Sequence, residues 1–313
     1  MSTPVPFVTS LEAGPAADWR RALGTALPGH RICAPEELDA DERAAVRVAV
    51  VANPDPTALA AFPALEWVHS VWAGVERLVG TLDPQIRIVR LVDPDLAQVM
   101  SEAVLGHVLY LHRRIPEYLA QQRAETWRQL EQVAASRRCV AVLGMGHLGQ
   151  HAARQLGTVG FEVLGWSRTR KTVAGVETFG GTETLPEVLA RADIVTVLLP
   201  LTDATRGLLD APMLAHCKPG AALVNVARGP IVDTAALLGA LDRGALSHAV
   251  LDVFDTEPLP QGDPLWSHPS VTVLPHVAAP TNRDTASAIV AANLAAYFRD
   301  GTLPEAVDGA RGY

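Results

Sequence analysis

The sequence has little cysteine, no excess of positive charge and no long apolar run, and each shortage removes a class of protein. Three cysteines in 313 residues (Cys33, Cys139 and Cys217) lie far apart. That spacing suits buried thiols in a reducing compartment better than a disulfide framework or a zinc site. Twenty-six Lys and Arg stand against 34 Asp and Glu, a net charge of −8. Nucleic-acid binders carry a basic face or stripe, so no nucleic-acid partner is expected. No apolar run approaches the roughly 20 residues of a membrane span. Met1 to Ser10 lacks the basic and apolar segments of a secretory signal, so a cytoplasmic location is expected. No His/Asp cluster has metal-ligand spacing, which leaves a metal-dependent hydrolase without support and predicts no metal site.

What the sequence does have is alternation. Val48–Ala52, Ile86–Leu91, Cys139–Leu143, Ile194–Leu199 and Ala222–Val226 are short β-branched runs, and segments 147–158, 184–191 and 233–243 have helical spacing. Near-continuous apolar strands alternating with helices predict doubly wound α/β structure, with parallel sheets covered on both faces. The length favours one large domain or two modest ones. One long helical stretch from Asp95 to Arg123 divides the chain, and a second strand–helix series begins at Cys139. A final amphipathic run, Asp284 to Arg299, is expected to return to the first domain. The predicted division is residues 1–101 with 284–313, and 102–283, with a cleft between them.

The strongest local signal is Val140-Ala-Val-Leu-Gly-Met-Gly-His-Leu-Gly149. Gly144, Gly146 and Gly149 form G-x-G-x-x-G between a strand and a helix. This is the arrangement that brings a dinucleotide pyrophosphate onto a helix N-terminus. The turn residues Met145, His147 and Leu148 join the three glycines as expected cofactor contacts. The next strand, Phe161 to Trp166, ends without the carboxylate that an NAD site uses for the ribose 2′-hydroxyl. Ser167, Arg168, Thr169, Arg170 and Lys171 follow instead. Hydroxyl and guanidinium groups attract a 2′-phosphate that a carboxylate would repel, which predicts NADPH over NADH, with NADH still possible.

Three further segments place a polar residue just past a strand, where ligands gather in open α/β sheets. Arg228 lies in Asn225-Val-Ala-Arg-Gly, Glu257 in Leu251-Asp-Val-Phe-Asp-Thr-Glu-Pro-Leu, and His276 in Pro275-His-Val-Ala. Each alone reads equally well as a surface arginine, a turn-ending acid and a loop histidine. Together they supply a carboxylate anchor, an orienting acid and a proton carrier. Hydride reaching a ketone carbon builds charge on oxygen, which needs an acid and a fixed cation. An Arg fork matches a carboxylate bidentately, and a carboxylate beside an imidazole favours its protonated form.

In this order the motifs resemble the D-isomer-specific 2-hydroxyacid dehydrogenases through most of the chain. Trp166-Ser-Arg-Thr-Arg-Lys171, Pro264-Leu-Trp266 and Ala310-Arg-Gly-Tyr313 resemble the glyoxylate/hydroxypyruvate reductase A branch of that family. The resemblance implies a flavodoxin-like substrate domain, a Rossmann cofactor domain and a homodimer formed through the apolar helix that Met100-Ser-Glu102 opens. It implies reduction of a small 2-oxo acid, glyoxylate or hydroxypyruvate, with Arg228 on the substrate, Glu257 on the imidazole and His276 as proton donor. It also implies that Leu199, Pro200 and Ala227 line the cofactor site and that Ala73 and Gly74 cradle the substrate carboxylate through backbone amides. Trp72 either lines that pocket or packs between domains, and Asp252 is either a nicotinamide neighbour or a structural cap. Leu91 to Gln98 departs from the branch, where glycine is more usual, and leaves the preferred side chain open. A reductase for a bulkier 2-oxo acid is the nearest competing reading. A dinucleotide-sensing binding protein on the same scaffold is the other, although a sensor has no need of a proton donor.

Overall fold

A computed structural model describes residues 4–308, so Ala310–Tyr313 lie outside the described residues. Twelve strands and nine α-helices occur among the described residues. The first part of the chain runs β1 (Pro4–Thr9), α1 (Ala13–Ala26), β2 (Arg31–Cys33), α2 (Ala40–Ala45), β3 (Val48–Ala52), β4 (Trp67–Ser70) and β5 (Arg87–Val89). Then come α3 (Pro94–His112), α4 (Ile115–Arg123), β6 (Cys139–Leu143), α5 (His147–Val159), β7 (Glu162–Ser167), β8 (Glu177–Gly180), α6 (Leu185–Arg191) and β9 (Ile194–Val197). The chain closes with α7 (Ala211–Leu214), β10 (Ala221–Asn225), α8 (Thr234–Asp242), β11 (Leu246–Leu251), β12 (Val271–Val273) and α9 (Arg283–Asp300). Among the described residues no helix is long and apolar enough to cross a membrane.

The chain forms two compact units, residues 1–96 with 281–313, and residues 97–280. Unit 1 holds a five-stranded sheet in the order β2-β1-β3-β4-β5. All its neighbours are parallel, and this is the flavodoxin-like order. Unit 2 holds a parallel seven-stranded sheet in the order β12-β11-β10-β9-β6-β7-β8. Counted from β6 this is the Rossmann order 3-2-1-4-5-6 with one strand added.

The all-apolar strands serve both faces at once. In β6, Cys139, Ala141 and Leu143 enter one core while Val140 and Val142 enter the other. In β3, Val48, Val50 and Ala52 face one side and Ala49 and Val51 the opposite one. A two-residue period between two covered faces is what makes such strands read as unbroken apolar runs.

The helical stretch expected from Asp95 to Arg123 is broken. It divides after His112, with Arg114 left-handed (φ 59°) before α4. Pro116 is the cause: it has no N–H for the His112 carbonyl, and its ring collides with that oxygen in a continuous helix. Val104 and Val108 of α3 are buried in the core of unit 2, with Leu105 and Leu109 packed against it, so much of that helix's apolar surface is used internally.

The last helix, α9, packs in unit 1, where Ala286, Val290 and Leu294 join the core of β1, β3 and β4. A buried histidine helps to fix it. His69 Nδ1 donates to the Ser70 carbonyl at 2.9 Å, and Asn293 Nδ2 donates to His69 Nε2 at 2.9 Å. This pairing suits the neutral ring alone, and burial lowers its pKa to about 4. As pH falls below 6.5 the unfolded chain therefore binds a proton that the folded chain refuses until about 4. Folding stability is expected to drop over that window by about 1–3 kcal/mol from this residue. Urea unfolding at a series of pH values checks it: His69→Gln should make the decline shallower, and an equally steep decline would contradict the assignment.

Candidate active site

The glycine turn after β6 is shaped by close approaches. Gly144 has φ 114°, and its N–H donates to the Trp166 carbonyl at 2.7 Å. A Cβ on Gly144 would lie 2.5 Å from the Leu198 carbonyl oxygen, so the chain leaving β9 passes directly over the turn. A Cβ on Gly149 would lie 1.7 Å from the Gly144 carbonyl oxygen, which seats α5 against the turn. Gly146 differs, because a Cβ there would meet nothing within 4 Å. It is the N-cap residue of α5 and offers no side chain, so no cap occupies the first amides of that helix. Exposed amides with a positive dipole end fit a pyrophosphate. Met145 is buried beneath the turn against Gly165, His147 is exposed and Leu148 half-buried.

The edge of β7 carries the residues expected from the sequence to distinguish dinucleotides. Ser167 is half-buried, and its hydroxyl donates to the Thr169 carbonyl at 2.8 Å. Arg168, Thr169, Arg170 and Lys171 are exposed. The loop is pinned to β8: Gly181 N–H donates to the Arg168 carbonyl at 3.0 Å, and Trp166 Nε1 donates to the Gly181 carbonyl at 3.0 Å. Here β7 ends in a hydroxyl followed by two guanidinium groups, with no carboxylate.

Beyond β9, Leu199 is buried and Pro200 half-buried. Thr205 ties their loop, its hydroxyl donating to the Pro200 carbonyl at 2.7 Å and accepting from the Thr202 N–H at 2.8 Å. Beyond β10, buried Asn225 closes a ring of its own. Its Oδ1 accepts from the Ala227 N–H at 3.1 Å, and its Nδ2 donates to the Arg228 carbonyl at 3.0 Å. Arg228 is half-buried, with Nη1 donating to the Ala227 carbonyl at 2.6 Å. A Cβ on Gly229 would lie 2.0 Å from the Phe254 carbonyl carbon, so the arginine loop is pressed onto the loop that carries Glu257.

That second loop follows β11. Glu257 Oε1 accepts from the Phe254 N–H at 3.0 Å, and Oε2 lies 2.7 Å from His276 Nδ1. With one oxygen on the backbone and one on the imidazole, the carboxylate fixes the ring direction. His276 follows β12 in the left-handed region (φ 55°), a conformation that L-residues adopt rarely and often at functional sites. Its side chain is 50% exposed, and Nε2 takes no part in the contact with Glu257. Asp252 is fully buried, and its carboxylate accepts from the Val277 and Ala278 N–H groups.

The second unit thus brings Arg228, Glu257 and His276 to the C-terminal edge of one sheet, the edge that also bears the glycine turn. Trp72, Ala73 and Gly74 belong to the first unit, at the end of β4, and are half-buried. The Trp72 ring packs edge-on against Trp19 of its own unit, with centroids 5.5 Å apart. Sequence reasoning missed Asn225 and Thr205 as site-building residues. A polar side chain at the end of a buried strand was the available signal for the first.

A glycine turn on a helix N-terminus beside an Arg, Glu and His at strand ends defines an oxidoreductase of the nucleotide-binding α/β class. The family model for "D-isomer specific 2-hydroxyacid dehydrogenase, NAD binding domain" matches residues 105–278. A glyoxylate/hydroxypyruvate reductase A of Serratia proteamaculans (strain 568) is 38% identical over 305 residues, covering 95% of this chain and 96% of the relative. Among solved structures, a D-isomer specific 2-hydroxyacid dehydrogenase from Xanthobacter autotrophicus Py2, in complex with NADPH and MES, superposes with a TM-score of 0.92 at 41% identity over 100% of both chains. An NADPH-dependent glyoxylate/hydroxypyruvate reductase from Sinorhizobium meliloti, in complex with NADP and sulfate, superposes with a TM-score of 0.90 at 34% identity, again over 100% of both. The chain belongs to the D-isomer specific 2-hydroxyacid dehydrogenase family and is an enzyme of that family.

Gly149→Ala tests the turn. Its methyl has no room against the Gly144 carbonyl, so α5 must shift, at a cost of about 1–3 kcal/mol. Titration with NADPH followed by fluorescence should show binding lost, and wild-type affinity would contradict the description of the turn.

Proposed function

We propose that the protein is an NADPH-dependent reductase of small 2-oxo acids, converting glyoxylate to glycolate and hydroxypyruvate to D-glycerate. The observation that carries this reading is the 2.7 Å contact between His276 Nδ1 and Glu257 Oε2. It leaves Nε2 to protonate a carbonyl oxygen while Glu257 stabilises the imidazolium. The Arg228 guanidinium grips the substrate carboxylate and polarises the carbonyl. When bound, the reduced nicotinamide supplies the hydride that reaches C2. The α5 N-terminus holds the pyrophosphate, and Ser167, Arg168 and Arg170 favour a 2′-phosphate. The relatives in complex with NADPH and NADP support that choice, and the name of the Serratia relative supports the substrate class.

A homodimer is part of the proposal. After α4 the chain runs without helix or strand to Ala134, and Trp127 in that run is 97% exposed; Ile115 and Leu119 of α4 are exposed as well. Apolar surface of this kind marks an interface. Light scattering over a wide dilution series should give twice the chain mass, and a concentration-independent monomer would refute it. The cytosol is the proposed location, which agrees with three free cysteines; burial pushes the Cys139 thiol up to about 12 and Cys217 up to about 11.

Steady-state rates on glyoxylate, hydroxypyruvate, pyruvate and phenylpyruvate with both reduced cofactors test the reading. Glyoxylate and hydroxypyruvate should lead, with NADPH favoured about tenfold or more in kcat/KM if one charge-assisted bond separates the cofactors. Equal efficiency with NADH, or a preference for phenylpyruvate, would count against it. Glu257→Gln leaves the imidazole without the carboxylate oxygen that fixes its direction, so turnover at saturating substrate should fall while NADPH affinity holds. Unchanged turnover would remove the basis for the Glu–His pairing.

A further inference from the structure

Between β7 and β8 the chain returns through residues 168–176 without a helix, and Arg168, Arg170 and Lys171 stand in that return. Parallel neighbours are usually joined by a crossover of about a dozen residues or more, most often helical. Here the return lies instead along β8, the edge strand of its sheet, and is fastened to it at successive places. The Gly181 N–H donates to the Arg168 carbonyl at 3.0 Å. A Cβ on Gly180 would lie 2.3 Å from the Arg170 backbone nitrogen, so the chain crosses directly over that glycine. The Thr178 hydroxyl donates to the Lys171 carbonyl at 2.5 Å. Within the return, the Ser167 hydroxyl takes up the Thr169 carbonyl at 2.8 Å.

Thr178 is buried and lies opposite Gly165 of β7. Its neighbour Phe179 turns to the other face, where it packs against the core and under the Arg191 guanidinium, 5.6 Å from the ring centroid. A β-branched apolar residue would serve a buried strand position as well as threonine does. What the hydroxyl adds is the bond to Lys171. That bond falls on a segment whose like charges repel one another, and a loose segment would have to be ordered by its ligand at a cost in affinity. Fastening the carbonyls of Arg168, Thr169 and Lys171 moves that cost from binding to folding.

We propose that Thr178 is a positioning residue for the choice of dinucleotide: by holding the Lys171 carbonyl it keeps the backbone that bears Arg168 and Arg170 in place before a cofactor arrives. This rests on the reading of Ser167, Arg168 and Arg170 as the groups that favour NADPH. Only the dinucleotide that carries a 2′-phosphate draws on this segment. Loosening it therefore costs NADPH affinity and leaves NADH affinity unchanged.

Thr178→Val tests this, because it keeps the branched shape and removes the hydroxyl. Titrations with NADPH and with NADH, each followed by nicotinamide fluorescence, should show the NADPH Kd rising about three- to tenfold, the worth of one buried hydrogen bond. The NADH Kd should not move, and Thr178→Ser, which keeps the hydroxyl, should restore the NADPH Kd. An equal loss for both dinucleotides, or no loss for NADPH, overturns the proposal. A measurement on the unaltered protein decides the matter even if the valine variant fails to fold. Without cofactor, NMR relaxation at the Thr169, Arg170 and Lys171 amides should give order parameters of about 0.85, and values below about 0.6 overturn the proposal. Wild-type protein that binds NADH as tightly as NADPH overturns the proposed cofactor preference together with this role. A wild-type preference that Thr178→Val retains in full overturns this role alone.

Discussion

An imidazole has to be held against the carboxylate that fixes its direction, and in this chain the two come from different loops. Glu257 follows β11 and His276 follows β12, adjacent parallel strands whose C-terminal ends lie at one edge of the sheet. Nothing local makes residues 19 apart meet at 2.7 Å; the strand register does. The parallel pairing Ala249–Val271, Val250–Thr272 and Leu251–Val273 sets where each loop begins. Phe254 N–H then fixes one oxygen of the acid, and Asp252 fixes the backbone behind the imidazole. Arg228 enters from the next strand, locked by Asn225 and by the contact that only glycine permits at 229.

The same edge explains the cofactor elements. β6 and β9 are neighbours at the point where the strand order reverses, and there the Gly144 turn meets the Leu198 carbonyl. Ligands of open α/β sheets gather at this crevice because helix N-termini and unpaired amides converge on it. The charge is also local. A chain of net charge −8 places Arg168, Arg170 and Lys171 at the end of β7 with no acid among them, so a phosphate finds a positive neighbourhood on an acidic protein. The long-range field of so acidic a chain repels anions, and specific guanidinium contacts have to supply what net charge does not.

Much of this architecture is legible in the amino-acid sequence. The glycines of the turn are visible because close approach of backbone to backbone leaves no other residue type, as the positions of a Cβ at 144 and 149 show. The two parallel sheets follow from apolar strands that must serve two cores. Arg228, Glu257 and His276 stand out because each is a polar residue just past an apolar strand. The bonds between these loops are harder to read. Asp252 bonds to amides 25 and 26 residues away, and its burial depends on strand register rather than on neighbours in sequence. The break between α3 and α4 is readable in Ile115-Pro116, but the apolar periodicity on both sides masks it. Trp127 carries no periodic signal at all, and its exposure is a property of the fold.

The central claim is that His276 delivers the proton while hydride reaches the carbonyl. Single-turnover NADPH oxidation by His276→Asn, followed by stopped flow with glyoxylate, tests it most directly. The account predicts unaltered NADPH binding and a hydride-transfer rate lower by about 10²–10⁴-fold, the usual worth of a positioned acid. A variant that transfers hydride at the wild-type rate would contradict it.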